Sequence, residues 1–204
     1  MENIEQKLEQ IKQKCINCNR CKLSETRNKV VFSSGVPNSR LMLIGEAPGY
    51  WEDQKGEPFV GKAGQLLDRI LESVGFTRER DIYICNTIKC RPPENRNPLP
   101  EEKLACEEYL RAQIEILKPR IILVCGNIAL NTMLPNERRI TKARGRWYEG
   151  PYGSKMMPIF HPSYLLRNPS HEKGSPKWLM WQDIREIRRV YDETTVVAEK
   201  TNLL

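Results

Sequence analysis

Residues 45–67, GEAPGYWEDQKGEPFVGKAGQLL, join two elements of opposite periodicity and so restrict what the chain can become. Ahead of them, RLMLIGE (residues 40–46) is a short apolar run with the signature of a buried strand. Behind them, Leu66, Leu67, Ile70, Leu71 and Val74 recur on one face of an amphipathic helix over residues 63–74. The connection between strand and helix is about fifteen residues long, and connections of that length are usually functional. It carries Gly45, Gly49, Gly56, Gly61 and Gly64, which let a backbone turn tightly or approach a ligand. It also carries the carboxylates Glu46, Glu52 and Asp53 and the aromatic Phe59. Open α/β sheets bind ligands outside the carboxyl ends of their strands, so this loop is expected to form the floor of an active site.

Three more apolar runs follow: DIYICNTIKC (residues 81–90), PRIILVCGN (119–127) and KMMPIF (155–160). Helical patterns separate or follow them at 100–117, 128–134 and 176–191. Four strands alternating with helices imply a mostly parallel four-stranded sheet covered on both faces. The expected architecture is a three-layer α/β/α sandwich forming a single domain over residues 1–204. Ile4, Leu8 and Ile11 mark an N-terminal helix within residues 1–14, and residues 192–204 have little to anchor them and are expected to be disordered. Cys125, inside an apolar strand, reads as a small buried hydrophobe.

The formal net charge is +7. Residues 138–189 hold twelve Lys/Arg against four Asp/Glu, so the basic excess is C-terminal. That distribution favours a polyanionic partner such as nucleic acid, although a basic surface that merely aids solubility has the same composition. No apolar run reaches membrane-spanning length and residues 1–14 are too charged for a signal peptide, so a cytoplasmic protein without a membrane partner is expected. Seven cysteines in such a chain point to metal or cluster ligation rather than disulfides. CINCNRC holds two overlapping C-x-x-C pairs, Cys15 with Cys18 and Cys18 with Cys21. A second group comprises Cys85, Cys90 and, beyond the Pro- and Asn-rich loop RPPENRNPLPEE, Cys106. Four thiolates from two distant pairs suit either a tetrahedral zinc or an iron–sulfur cluster, and spacing alone favours zinc, the commoner use of C-x-x-C.

Of the two histidines, His161 follows the fourth apolar run and so stands at a strand's carboxyl end, on the same edge as Glu46 and Asn86. A lone histidine is usually structural, but that placement favours a catalytic one. Asn86 ends the second strand, where its amide offers both a donor and an acceptor to a base edge, although Asn is also a common turn former.

GEAPG, GEPFVGKAGQLL, CNTIKCRPP and HPSYLLR occur in an order that resembles the family 4 uracil-DNA glycosylases of thermophilic bacteria and archaea. The likeness runs from about Cys18 to the last helix. It implies a [4Fe-4S] cluster in place of zinc. CNRCKLSETR matches the family's C-x-x-C-x-L-x-x-x-R, which selects Cys18 and Cys21, with Cys90 and Cys106 completing the ligands. By the same resemblance Phe59 stacks on a flipped uracil, Asn86 reads its O4/N3 edge, and His161 hydrogen-bonds O2 as negative charge builds there. Glu46 and Glu52 match acidic positions lining the pocket, and Gly45, Ala47 and Ser163 lie against the substrate. The better-known uracil glycosylases carry GQDPYH where this chain has GEAPG, so their activating aspartate has no counterpart at Ala47. Tyr50 and Trp51 also depart from the family, which commonly has acids there.

The expected activity is therefore hydrolysis of the N-glycosidic bond of deoxyuridine in double- or single-stranded DNA, leaving free uracil and an abasic site. Flipping costs a few kcal/mol. Leu165, Leu166 and Arg167, with Tyr164, are expected to wedge into the vacated stack, unless the leucines pack as core. The enzyme is expected to be a monomer, with a sliding clamp as a candidate protein partner. A non-enzymatic nucleic-acid-binding module with a structural metal site would share the charge and the cysteines. It leaves unexplained a Gly-rich carboxylate loop facing an Asn and a His. A nucleotide-dependent enzyme is disfavoured because neither a P-loop nor a G-x-G-x-x-G is present.

Overall fold

The computed structural model describes residues 3–201, with side chains through residue 194. The strands are β1 (Ser34–Gly35), β2 (Leu41–Gly45), β3 (Ile82–Asn86), β4 (Ile121–Cys125), β5 (Tyr148–Glu149) and β6 (Lys155–Ile159). The helices are α1 (Ile4–Ile16), α2 (Leu23–Thr26), α3 (Tyr50–Lys55), α4 (Lys62–Glu72), α5 (Pro100–Leu117), α6 (Asn127–Met133), α7 (Ile140–Ala143), α8 (Pro162–Arg167) and α9 (Pro176–Thr201).

The sheet order is β1-β3-β2-β4-β6-β5, with β3, β2, β4 and β6 mutually parallel. These are the four strands expected from the apolar runs. The sheet nevertheless has six strands, because two-residue antiparallel strands β1 and β5 close its edges against β3 and β6. Pieces that short have no periodicity to read. In β2, β3 and β4 every residue is buried, and alternate side chains enter opposite cores. Leu41, Leu43, Ile82, Ile84, Ile121 and Leu123 face α4, α8 and α9. Met42, Ile44, Tyr83, Ile122 and Val124 face α1, α5 and α6. The result is a three-layer sandwich. Cys125 lies wholly buried in the first of these cores.

From β2 the chain moves one way to β3 and then crosses to β4 on the other side of β2. The carboxyl ends of β2 and β4 thus flank the point where strand order reverses, where α/β sheets open a binding crevice. α9 continues to Thr201, past the Asp192 at which the sequence offered little anchorage, and residues 202–204 of that expected tail lie outside the described residues.

Candidate active site

The loop after β2 is not irregular throughout: α3 forms inside it, a turn too short for hydrophobic periodicity to announce. Gly49 caps α3, and its N–H donates to Glu52 Oε2 at 3.1 Å. Glu52 Oε1 accepts from the N–H groups of Val60 and Gly61, both at 2.9 Å. A carboxylate holding three backbone donors staples the loop, and Glu52, expected among the catalytic acids, also lines the cavity at the end of β2. Asp53 is fully buried and accepts from Asn28 N and Nδ2 at 3.0 and 2.5 Å, tying α3 to the segment after α2.

This staple ends at Phe59, whose φ of 56° is the left-handed region that non-glycine residues enter at a cost of about 1–3 kcal/mol. Arg78 supports that conformation by donating to the carbonyls of Pro58 and Phe59 at 2.8 and 2.9 Å, while Asp68 pairs with the same guanidinium at 2.8 Å. Beneath it, Gly64 has no alternative, since a Cβ there would lie 1.7 Å from Phe59 O. Gly45 is equally constrained, because its Cβ would meet Asn86 Oδ1 at 2.4 Å and the Phe59 ring at 2.6 Å. Neither Arg78 nor the need for Gly64 was visible in the sequence, because both arise from contacts across the fold.

A cavity of about 610 Å³ opens at the carboxyl edge of the sheet. Its walls include Glu46, Ala47, Asn86, His161 and Ser163, drawn from the ends of β2, β3 and β6, and Phe59 from the turn between α3 and α4. Asn86 is almost fully buried, and its Oδ1 has no hydrogen-bond partner. Lys89 Nζ holds the Asn86 backbone carbonyl at 2.7 Å, which fixes the strand end. The Phe59 and His161 rings lie 5.6 Å apart at 31°. Thr87 N and Oγ1 donate to the carbonyls of Gly45 and Glu46 at 2.9 and 2.6 Å, extending the β2–β3 pairing into the loop after β2. Burial raises the Glu46 carboxyl above its ordinary range.

His161 is neutral at physiological pH: burial, then the nearby Arg167 cation, depress its pKa to about 4 against a smaller opposing pull from Glu52. Its Nδ1 accepts from Ser163 N at 3.2 Å and faces Ser163 Oγ at 2.8 Å, so the ring proton belongs on Nε2. Gly126, at the end of β4, lies against the ring, and a Cβ there would come within 3.1 Å of His161 Cβ. Asn127, Thr141, Asn95 and Arg96 also line the cavity, none of them singled out in the sequence. The only hint for the last two was the Pro- and Asn-rich composition of a loop able to fold back, which it does through left-handed Glu94 and Asn95.

The sequence profile of the uracil DNA glycosylase superfamily matches residues 32–185. A type-4 uracil-DNA glycosylase of Thermotoga maritima is 46% identical over 82% of this chain and 88% of its own length. Those of Sulfurisphaera tokodaii and Archaeoglobus fulgidus are 38% and 40% identical over 90% and 79% of this chain and 84% of each relative. The chain belongs to the type-4 uracil-DNA glycosylases. The cavity therefore lies in a uracil-DNA glycosylase domain, at the edge the motifs indicated.

In this type-4 chain the expected wedge is only partly available. Leu165 is 1% exposed and packs in the core between α8 and the sheet, whereas Leu166, one step round the helix, is 44% exposed. Leu165 is thus corrected from a DNA contact to a core residue, because a six-residue helix lying on the sheet must bury one face. Arg167 lines the cavity. The basic excess is also unevenly free: Arg144 pairs with Asp183, Arg188 with Asp192, and Arg189 with Glu186 and Glu193. Arg138, Arg139 and Lys142 are exposed beside Ile140 and Thr141, which line the cavity.

On the far side of Ala47, Cys18, Cys21, Cys90 and Cys106 line one narrow cleft together with Cys15. Arg27 donates to Cys90 Sγ and the Lys89 backbone N–H to Cys106 Sγ, each at 3.3 Å. Burial pushes the Cys106 thiol up to about 11, with the fully buried Lys89 ammonium opposing it. Lys89 Nζ also donates to Gln113 Oε1 at 2.6 Å. The donors are thus soft thiols flanked by cations, a set suited to an anionic thiolate-bound metal group.

Proposed function

We propose that this chain removes uracil from DNA as a monofunctional glycosylase, breaking the C1′–N1 bond by hydrolysis and leaving an abasic site. The observation that carries the reading is the buried, unpartnered Asn86 Oδ1 in a cavity walled by Phe59 and a neutral His161. An orphaned buried acceptor costs free energy unless a ligand satisfies it. Uracil supplies N3–H to that oxygen and O4 to the amide nitrogen, while Phe59 offers a face to the ring. As C1′–N1 breaks, the bonding pair leaves with the base. The His161 Nε2–H then donates to O2 where negative charge gathers, and a water oxygen bonds to the cationic C1′ and loses a proton, which the uracil anion takes up to leave as neutral uracil. Glu46 is the half-buried carboxylate at the end of β2 that would stabilise that cation or orient the water. Among the described residues no lysine lines the cavity, in keeping with hydrolysis without strand cleavage. Incubating the protein with uracil-containing oligonucleotide should release free uracil; intact glycosidic bonds under those conditions would overturn the reading.

Cys18, Cys21, Cys90 and Cys106 are proposed to hold a [4Fe-4S] cluster. The shared cleft of soft thiols and the C-x-x-C-x-L-x-x-x-R motif carried by CNRCKLSETR support that group over zinc. When bound, the cluster supplies a cross-link rather than a reacting group. Cys90 and Cys106 bracket the segment whose Pro92, Asn95 and Arg96 line the cavity, so fixing its ends shapes the pocket. No helix among the described residues is long and apolar enough to cross a membrane, and a monomer acting in the cytoplasm is the proposed form.

Arg138, Arg139 and Lys142 are proposed to hold DNA phosphates beside the pocket. Binding should then weaken with salt by roughly 0.9 log unit per log[salt] for each phosphate contacted. Replacing all three with alanine should flatten that slope in a fluorescence-anisotropy titration. An unchanged slope would assign the phosphates to another surface.

A further inference from the structure

Two large aromatic rings open α3 and face water: Tyr50 is 49% and Trp51 58% exposed. Isolated exposed aromatics are ordinary. This pair is distinguished by where it stands and how firmly it is held. The residues on either side of it, Gly49 and Glu52, line the cavity, so the pair forms part of the lip. The rings meet edge to face, with centroids 5.2 Å apart at 81°. Beneath them, Glu52 is fixed by three backbone donors and Asp53 by Asn28. The Arg91 guanidinium lies 5.2 Å from the Tyr50 centroid, and the residue after it, Pro92, also lines the cavity. A rigid apolar ledge with a cation beside it matches the alternation of flat base and phosphate along a nucleic-acid strand.

We infer that the exposed face of Trp51, with Tyr50 set nearly perpendicular beside it as a buttress, is a stacking platform for an unpaired base next to the flipped nucleotide, with Arg91 beside the adjoining phosphate. In a duplex that neighbouring base is already stacked and paired, so the ledge adds little. In a single strand the base is free, and the platform replaces the stacking that it lacks. The consequence is selective gain of affinity for uracil in single-stranded or frayed DNA. The inference rests on the uracil-DNA reading of the adjacent cavity.

The test measures affinity for one oligonucleotide bearing 2′-fluoro-deoxyuridine, whose glycosidic bond resists hydrolysis, both as a single strand and annealed to its complement. Trp51→Ala should weaken single-strand binding by about 5- to 100-fold and duplex binding less than about 2-fold. Trp51→Phe, which keeps a π face, should restore most of the loss, and Tyr50→Ala should act in the same direction as Trp51→Ala. Matching thermal melting curves would show that each variant is folded. Unchanged single-strand affinity, or an equal loss on both forms, would overturn the platform. Failure of the unaltered protein to release uracil would instead overturn the reading of the pocket, so the two failures are distinguishable.

Discussion

His161→Ala is expected to slow uracil release in single turnover by about 10²–10³-fold while changing DNA affinity little. The reason is where the charge forms. A neutral imidazole with its proton on Nε2 gains most when O2 becomes anionic, and little while uracil is still bound to the sugar. The depressed pKa of about 4 adds a pH expectation. Because the folded value lies below the ordinary 6.5, the unfolded chain binds the extra proton between those values. Stability contributed by the half-buried neutral ring is therefore complete above 6.5 and is lost as pH falls toward 4, while His161 itself imposes no inflection on the rate between pH 7 and 8. Asn86→Asp separates reading from bond breaking. It removes the donor to O4 and adds an acceptor, so uracil excision should fall and a trace of cytosine excision should appear. If both variants release uracil at close to the unaltered rate, another part of the sheet edge holds the active site.

Cys18→Ser is expected to yield colourless protein, whereas Cys15→Ser should keep the brown colour and about four irons per chain. The two thiols share one cleft but differ in their surroundings. Burial pushes Cys15 up to about 12, but it raises Cys90 and Cys106 as well, so the choice between the pairs rests on the C-x-x-C-x-L-x-x-x-R spacing that selects Cys18. Burial also opposes ionisation of Cys18, but hydrogen bonds involving Tyr109 and Arg20 outweigh it and hold that thiol below its ordinary value. Loss of the cluster should also release the segment between Cys90 and Cys106, so Cys18→Ser should lose uracil release along with colour. Stoichiometric zinc in colourless unaltered protein, or loss of colour from Cys15→Ser alone, would show that the metal or the C-x-x-C pair had been chosen wrongly.

The amino-acid sequence by itself determined the layers and the working edge. Continuous apolar runs at β2, β3, β4 and β6 can be buried only between two helical layers, and strand polarity then sends Glu46, Asn86 and His161 to one edge. Motif order was enough to indicate the family. Only the tertiary structure decided what each side chain touches there. Glu52 and Glu46 look alike as loop carboxylates, yet three backbone amides converge on Glu52, while Glu46 is half-buried with its carboxyl raised by desolvation. Leu165 and Leu166 are adjacent and chemically identical, yet the helix turns one into the core and the other toward solvent. Arg78 reaches Phe59 across nineteen positions of sequence separation, and Asn127 and Thr141 arrive from beyond β4. Periodicity records which face of an element is buried. It carries no information on which distant donor meets which acceptor, because that depends on how elements pack and on the few left-handed residues, Phe59 and Asn95 among them, that aim the loops into the cavity.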